Sequence, residues 1–118
     1  MSCESLGNKL NLVVQQGATF TQQITLKASD GSSIPDIIDA DLRGQIRTTY
    51  DAASVTASFS FNWVDHAEGI ANMVIEANVT NLMSAGNYVY DVELFWTVEG
   101  TVWRILEGKL KVTPEVTK

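Results

Sequence analysis

Alternation of apolar and polar residues at every second position runs through most of this 118-residue chain. Successive side chains of a strand point to opposite faces, so the pattern describes strands with one buried face. The clearest run sets Phe20, Gln22, Ile24, Leu26 and Ala28 against Thr19, Thr21, Gln23, Thr25 and Lys27. Leu10, Leu12 and Val14 form a shorter run upstream, expected at a sheet edge. Leu42, Gly44 and Ile46 alternate with Arg43, Gln45 and Arg47. Val55, Ala57, Phe59, Phe61 and Trp63 alternate with Thr56, Ser58, Ser60 and Asn62. Residues 70–77 put Ala71, Met73, Ile75 and Ala77 on one face, and strands over 87–97 and 101–112 follow. Turn residues punctuate these runs: Gly17, Asp30-Gly31-Ser32-Ser33 before Pro35, Asp65 to Gly69, and Val98-Glu99-Gly100. Residues 36–40 fit no single element, and 51–54 suit a loop or one helical turn. Residues 78–83 read as a short connector with Leu82 in the core. About seven strands, with turn signals every ~8–12 residues and no sustained helical period, predict an all-β antiparallel sandwich. No linker divides the chain, so residues 1–118 are expected to form a single domain.

A chain of this size buries roughly two thirds of its unfolded surface, enough for a core without staples. It must do so by packing alone, because Cys3 is the only cysteine and no intrachain disulfide is possible. That suits a reducing compartment. No run approaches the ~20 apolar residues of a membrane helix. The opening MSCESLGNKLNLVV lacks the basic and apolar blocks of a secretory signal, so synthesis in the cytoplasm is expected. The net charge is −6, and the basic residues Lys9, Lys27, Arg43, Arg47, Arg104, Lys109, Lys111 and Lys118 are scattered along the sequence. A nucleic-acid surface needs clustered positive charge, so that partner is not expected.

The last hairpin permits two registers. A two-residue Glu99-Gly100 loop would place Trp96 opposite Trp103 and Glu107 on the core face. A three-residue loop, Val98 to Gly100 with Gly100 left-handed, aligns Tyr90, Val92, Leu94 and Trp96 with Gly108, Leu106, Arg104 and Val102. The second gives the cleaner core, since a one-residue slip exchanges every side chain between faces. It places Phe20, Ile24, Leu42, Ile46, Val92, Leu94 and Leu106 in the core. It also sends Phe95, Trp103 and Ile105 together to the outer face. Three large apolar groups there would form a candidate interface, because such patches mark protein contacts.

Chemistry-bearing residues are sparse. Asp91 and Glu93 share the outward face of their strand and are expected to be solvated rather than a glycosidase pair. His66, the one histidine, sits in a polar turn without a nucleophile signature. Asp36, Asp39 and Asp41 lack the spacing and glycine of a calcium loop, and no glycine-rich phosphate loop occurs. No catalytic residue, cofactor or metal site is therefore assigned, and an enzyme is not expected. Gly86-Asn87-Tyr88-Val89-Tyr90 is similar to the tyrosine corner of immunoglobulin-like sandwiches, in which a Tyr hydroxyl bonds upstream backbone. Gly86, Tyr88 and Tyr90 thus form a candidate structural corner, with Tyr90 where an antibody domain carries its second cysteine.

The ordered set FNWVD…EGIA, TNLMSAGNYVYDVEL and EGTVWRILEGKLKVTPEVT resembles small immunoglobulin-like domains of tailed bacteriophages, such as the N-terminal domain of baseplate upper proteins. Its markers here are Gly86, Tyr88, Tyr90, Asp91, Gly100, Gly108 and the closing Val116-Thr117-Lys118, with VVQQGATF upstream. The resemblance covers about residues 12–118. It implies an immunoglobulin-like sandwich serving as a structural subunit of a virion, in tail, neck or baseplate. Such a subunit docks to other virion proteins or to itself, with a homo-oligomer among the expectations. The alternative is a carbohydrate-binding or adhesion module using Trp63, Trp96 and Trp103 as sugar platforms.

Overall fold

The computed structural model describes residues 8–27, 31–98 and 100–114. Cys3, Ala28, Asp30, Glu99 and the closing Val116-Thr117-Lys118 lie outside the described residues. Among the described residues nine strands form: β1 (Asn8–Lys9), β2 (Leu12–Gln15), β3 (Phe20–Thr25), β4 (Ala40–Arg47), β5 (Ala57–Ser58), β6 (Ser60–Asp65), β7 (Ile70–Ile75), β8 (Gly86–Trp96) and β9 (Thr101–Thr113). A 3-10 turn at Ile37–Asp39 precedes β4, and one short helix, α1 (Ala77–Thr80), follows β7. The fold is all-β, in two sheets. The larger runs β1-β9-β8-β4-β5, with β2 beside β1 on β9, and the smaller runs β3-β7-β6.

Two features depart from a wholly antiparallel fold of seven strands. First, β1 and β2 pair with β9 in parallel, from Asn8↔Leu106 to Gln15↔Thr113. Alternation is identical in both strand directions, so the pattern carries no trace of this. Second, the run from Ala57 to Asp65 serves both sheets. Ala57 and Ser58 pair with β4, and Ser60 onward pairs with β7. Phe59 is the pivot, and its N–H donates to the Gly44 carbonyl at 3.0 Å. A Cβ on Gly44 would stand 2.9 Å from the Phe59 ring, which explains a glycine in the buried row of β4.

The core lies between the sheets. Leu42, Ile46, Val92, Leu94 and Leu106 are buried in it, while Phe20 and Ile24 of β3 are only half-buried against it. The connector after β7 departs from expectation at Leu82, which is 85% exposed, while Met83 and Thr80 are buried. Helical rotation accounts for it, since residues three apart share a face and Leu82 falls between them. The Thr80 hydroxyl donates to the Ala18 carbonyl at 2.8 Å, tying α1 to the turn before β3.

Candidate functional site

The β8–β9 hairpin decides what the surface offers. From Gly86↔Val112 to Val92↔Leu106 the register is that of the three-residue loop. A β-bulge then intervenes, and Glu93 pairs with Arg104, Leu94 with Trp103, Phe95 with Val102 and Trp96 with Thr101. Ile105 is the extra residue. Gly100 is left-handed, at φ 72°, and its N–H closes the turn on the Trp96 carbonyl at 2.8 Å. The candidate interface of Phe95, Trp103 and Ile105 is therefore corrected, because the three do not share an outer face. Ile105 is 2% exposed, and Trp103 turns inward onto Trp96, edge to face with centroids 4.5 Å apart. The bulge lets the adjacent Ile105 and Leu106 both be buried, which an unbroken strand cannot do. Phe95 alone stays outward, half-buried, with the Arg43 guanidinium 4.6 Å from its ring centroid.

Tyr88 and Tyr90 point to the core side of β8. The Tyr88 hydroxyl donates to the Ser84 carbonyl at 2.6 Å, across the corner that Gly86 opens at φ 150°. The Tyr90 hydroxyl donates to the Leu10 carbonyl at 2.5 Å. Burial, and then the nearby Tyr50 phenol, push Tyr90 well above the ordinary phenol range. Opposite Tyr90 stands Gly108, and a Cβ there would run into the Leu10 carbonyl oxygen. Gly108 thus admits the N-terminal strand at the point where Tyr90 fastens it. Asn11 completes the join by accepting the Lys109 N–H at 3.1 Å.

The outer face of the larger sheet collects the charge. Rows across β4, β8 and β9 read Asp41–Phe95–Val102, Arg43–Glu93–Arg104, Gln45–Asp91–Glu107 and Arg47–Val89–Lys109. Lys111 continues β9, and Lys9 lies beside Glu107. Six of the eight basic residues, Lys9, Arg43, Arg47, Arg104, Lys109 and Lys111, thereby meet four acids on one face. Two of the arginines are ion-paired there: Arg43 with Glu93 at 2.7 Å, and Arg104 with Asp91 at 3.5 Å and with Glu107 at 3.9 Å. An open groove of about 450 Å³ runs over Arg43, Gln45, Arg47, Tyr50, Asp91 and Glu93.

Arg47 shapes one wall of that groove. Its guanidinium donates to the Ala52 carbonyl at 2.6 Å and to the Gln45 amide oxygen at 3.0 Å, holding the 48–54 loop against the sheet. Tyr50, 59% exposed, stands on that loop at the rim. Asp91 is not the freely solvated acid expected of it. Burial raises its carboxyl above the usual range, Arg104 counters this, and Glu93 and Glu107 add to the rise. The arrangement presents oriented donors, acceptors and one aromatic ring on a broad shallow surface, which is suited to recognition. His66 stacks on Trp63 with centroids 3.9 Å apart and lies 3.0 Å from the Ala40 carbonyl, so it joins the loop end of the sandwich.

Four of the basic residues were visible in the sequence as the polar phase of their strands: Arg43 and Arg47 beside Leu42 and Ile46, Lys109 and Lys111 beside Leu110 and Val112. Arg104, expected on the core face opposite Leu94, is instead sent outward opposite Glu93 by the bulge. Their gathering required the strand order β9-β8-β4, which no local pattern states.

No family model matches the chain, and no curated protein matches it. Among solved structures, the crystal structure of InlP from Listeria monocytogenes aligns with a TM-score of 0.47 and 13% identity, over 92% of this chain. The chain spans 28% of that protein's length, and a likeness at this level says nothing about function.

Proposed function

We propose that this protein is a non-enzymatic structural subunit of a bacteriophage virion, an immunoglobulin-like sandwich that docks to a neighbouring tail, neck or baseplate protein. The observation that carries the reading is the charged outer face of the larger sheet. Six basic side chains against four acidic ones make it the positive-leaning face of a chain whose net charge is −6. It fits an acidic protein surface, since complementary charge steers and orients docking. Glu93 between Arg43 and Arg104, and Asp91 beside Glu107, would meet a phosphate backbone with carboxylates, which favours protein over nucleic acid. The immunoglobulin-like reading is supported by the parallel pairing of the first and last strands, the β5–β6 run shared by both sheets, and the Tyr88 hydroxyl on the Ser84 carbonyl.

The test is an Arg43→Glu/Lys109→Glu variant, with folding followed by circular dichroism and incorporation into particles by mass spectrometry. A folded variant excluded from particles supports the reading. Normal incorporation moves the contact off this face. Absence of the wild-type protein from purified particles overturns the virion assignment.

One observation favours a second reading, carbohydrate binding. Exposed Tyr50 overhangs a groove of mixed donors and acceptors. The tryptophans are poorly placed for that role, because Trp96 is 4% exposed and Trp63 and Trp103 pack against the core. Saturable glycan binding abolished by Tyr50→Ala would select this reading.

A further inference from the structure

Each sheet has two edges, and three of the four are closed to a further strand. On one side of the larger sheet β5 is two residues long. On the other, the N-terminal strand breaks between β1 and β2. In the smaller sheet β6 shifts register between Trp63 and Asp65 and ends on a charge. Short strands, breaks, bulges and edge charges are how proteins prevent edge-to-edge pairing.

The remaining edge, β3, has none of these. Its sequence FTQQIT contains no charge and no proline, and it pairs with β7 in unbroken register from Phe20↔Ile75 to Thr25↔Ile70. Among the described residues no strand flanks its free side. The core is also incompletely covered there. Phe20, Gln22 and Ile24, the inward row of β3, are half-buried, whereas Ala71, Met73 and Ile75 of β7 are buried. The Gln22 side-chain amide donates to the adjacent Gln23 carbonyl at 2.9 Å, an exposed local bond that a partner strand would replace.

Charge selects the occupant. Most approaches of two chains of net charge −6 are repulsive. The smaller sheet carries one charged residue, Asp65, on β6, the strand farthest from β3. Two copies meeting along β3 bring no like charges together. An antiparallel strand pair about a twofold axis is self-complementary, because each N–H to C=O bond is repeated by symmetry.

We propose that β3 pairs antiparallel with β3 of a second copy. The two three-stranded sheets then join into one of six strands, and Phe20 and Ile24 are covered. The pairing names a first partner for the assembly module proposed above and rests on that reading for its purpose.

The test is sedimentation equilibrium of the full chain over a concentration series. It compares the wild type with Thr21→Lys/Gln23→Lys, with Thr21→Glu/Gln23→Glu, and with an equimolar mixture of the two variants. Positions 21 and 23 lie on the outer, polar face, so the core is untouched. A joined sheet keeps its faces, so in one central register position 21 faces 23, and in the other 23 faces its own copy. The wild type should dimerise, each variant alone should weaken the dimer by at least about tenfold, and the mixture should restore it. Unchanged association of the variants overturns the pairing. So does a dimer that appears only after deletion of residues 2–7, because the chain's own N-terminal segment then holds the edge. A monomeric wild type that still docks through Arg43 and Lys109 overturns the pairing and leaves the assembly reading standing. A β3 dimer in a protein absent from particles does the reverse.

Discussion

The two sheets turn very different faces to solvent. Across the larger sheet the outward rows are charged, with Arg43–Glu93–Arg104 flanked by Gln45–Asp91–Glu107. Across the smaller sheet Thr21–Val74–Ser60 and Gln23–Asn72–Asn62 are neutral, and only the end row Thr25–Ile70–Asp65 carries a charge. Both sheets keep their inward rows largely apolar, so the difference between the outer rows is not needed for folding. It separates two kinds of contact. Paired charges on a broad face recognise a complementary surface and are sensitive to salt. A neutral sheet with an open edge offers backbone hydrogen bonds and can approach its own copy without repulsion.

The largest expected effect concerns the cores beneath the two faces. Leu94, fully buried in β8, should lose ~2–5 kcal/mol on Leu94→Ala. Ile24, half-buried in β3, should lose clearly less on Ile24→Ala, as measured by urea denaturation of both. Equal losses would mean that β3 is as enclosed as β8 and would remove the asymmetry. Next, Gly108→Ala drives a Cβ into the Leu10 carbonyl and should cost ~1–3 kcal/mol by forcing the N-terminal strand off β9. A neutral result would show that this edge of the larger sheet yields easily.

Tyr88→Phe removes one hydroxyl from the Ser84 carbonyl and should cost ~1 kcal/mol, rising toward ~3 if the carbonyl is left unsatisfied. A thermal melt superimposable on the wild type would leave Tyr88 as an ordinary strand aromatic. The smallest effect belongs to the charged face itself. Burial holds the Asp91 carboxyl above its unfolded range, so the folded state binds that proton more tightly than the unfolded state. Its charged form is therefore a disadvantage above the folded-state value, and the disadvantage vanishes as pH falls through the carboxylate range. Asp91→Asn should match or exceed wild-type stability at neutral pH, by less than ~1 kcal/mol, with the gap closing in acid. Greater instability of the variant at neutral pH would show that the Arg104 pair outweighs burial.

Much of the scaffold was legible because alternation is local. Leu42, Ile46, Val92 and Leu94 announce their faces by their neighbours, and Gly86 two residues before Tyr88 marked the corner. The candidate interface was not legible. Trp103 and Ile105 obey alternation in the sequence, and only the bulge, which accommodates Ile105 and Leu106 together, turns Trp103 onto Trp96. Leu82 and Met83 are equally apolar, and the helical turn of α1 decides which is buried.

The sequence by itself determined an all-β fold, most inward and outward positions, a left-handed Gly100 and the polar character of Arg43, Asp91 and Lys109. Those properties depend on side-chain period and turn chemistry over a few residues. Tertiary structure decided which strands are neighbours, the parallel join of β2 to β9, the sheet switch at Phe59, the gathering of six basic residues on one face and, among the described residues, the unpaired edge of β3. These depend on contacts between segments far apart in the chain. Their energies come from packing complementarity and backbone pairing, which leave no local period to read.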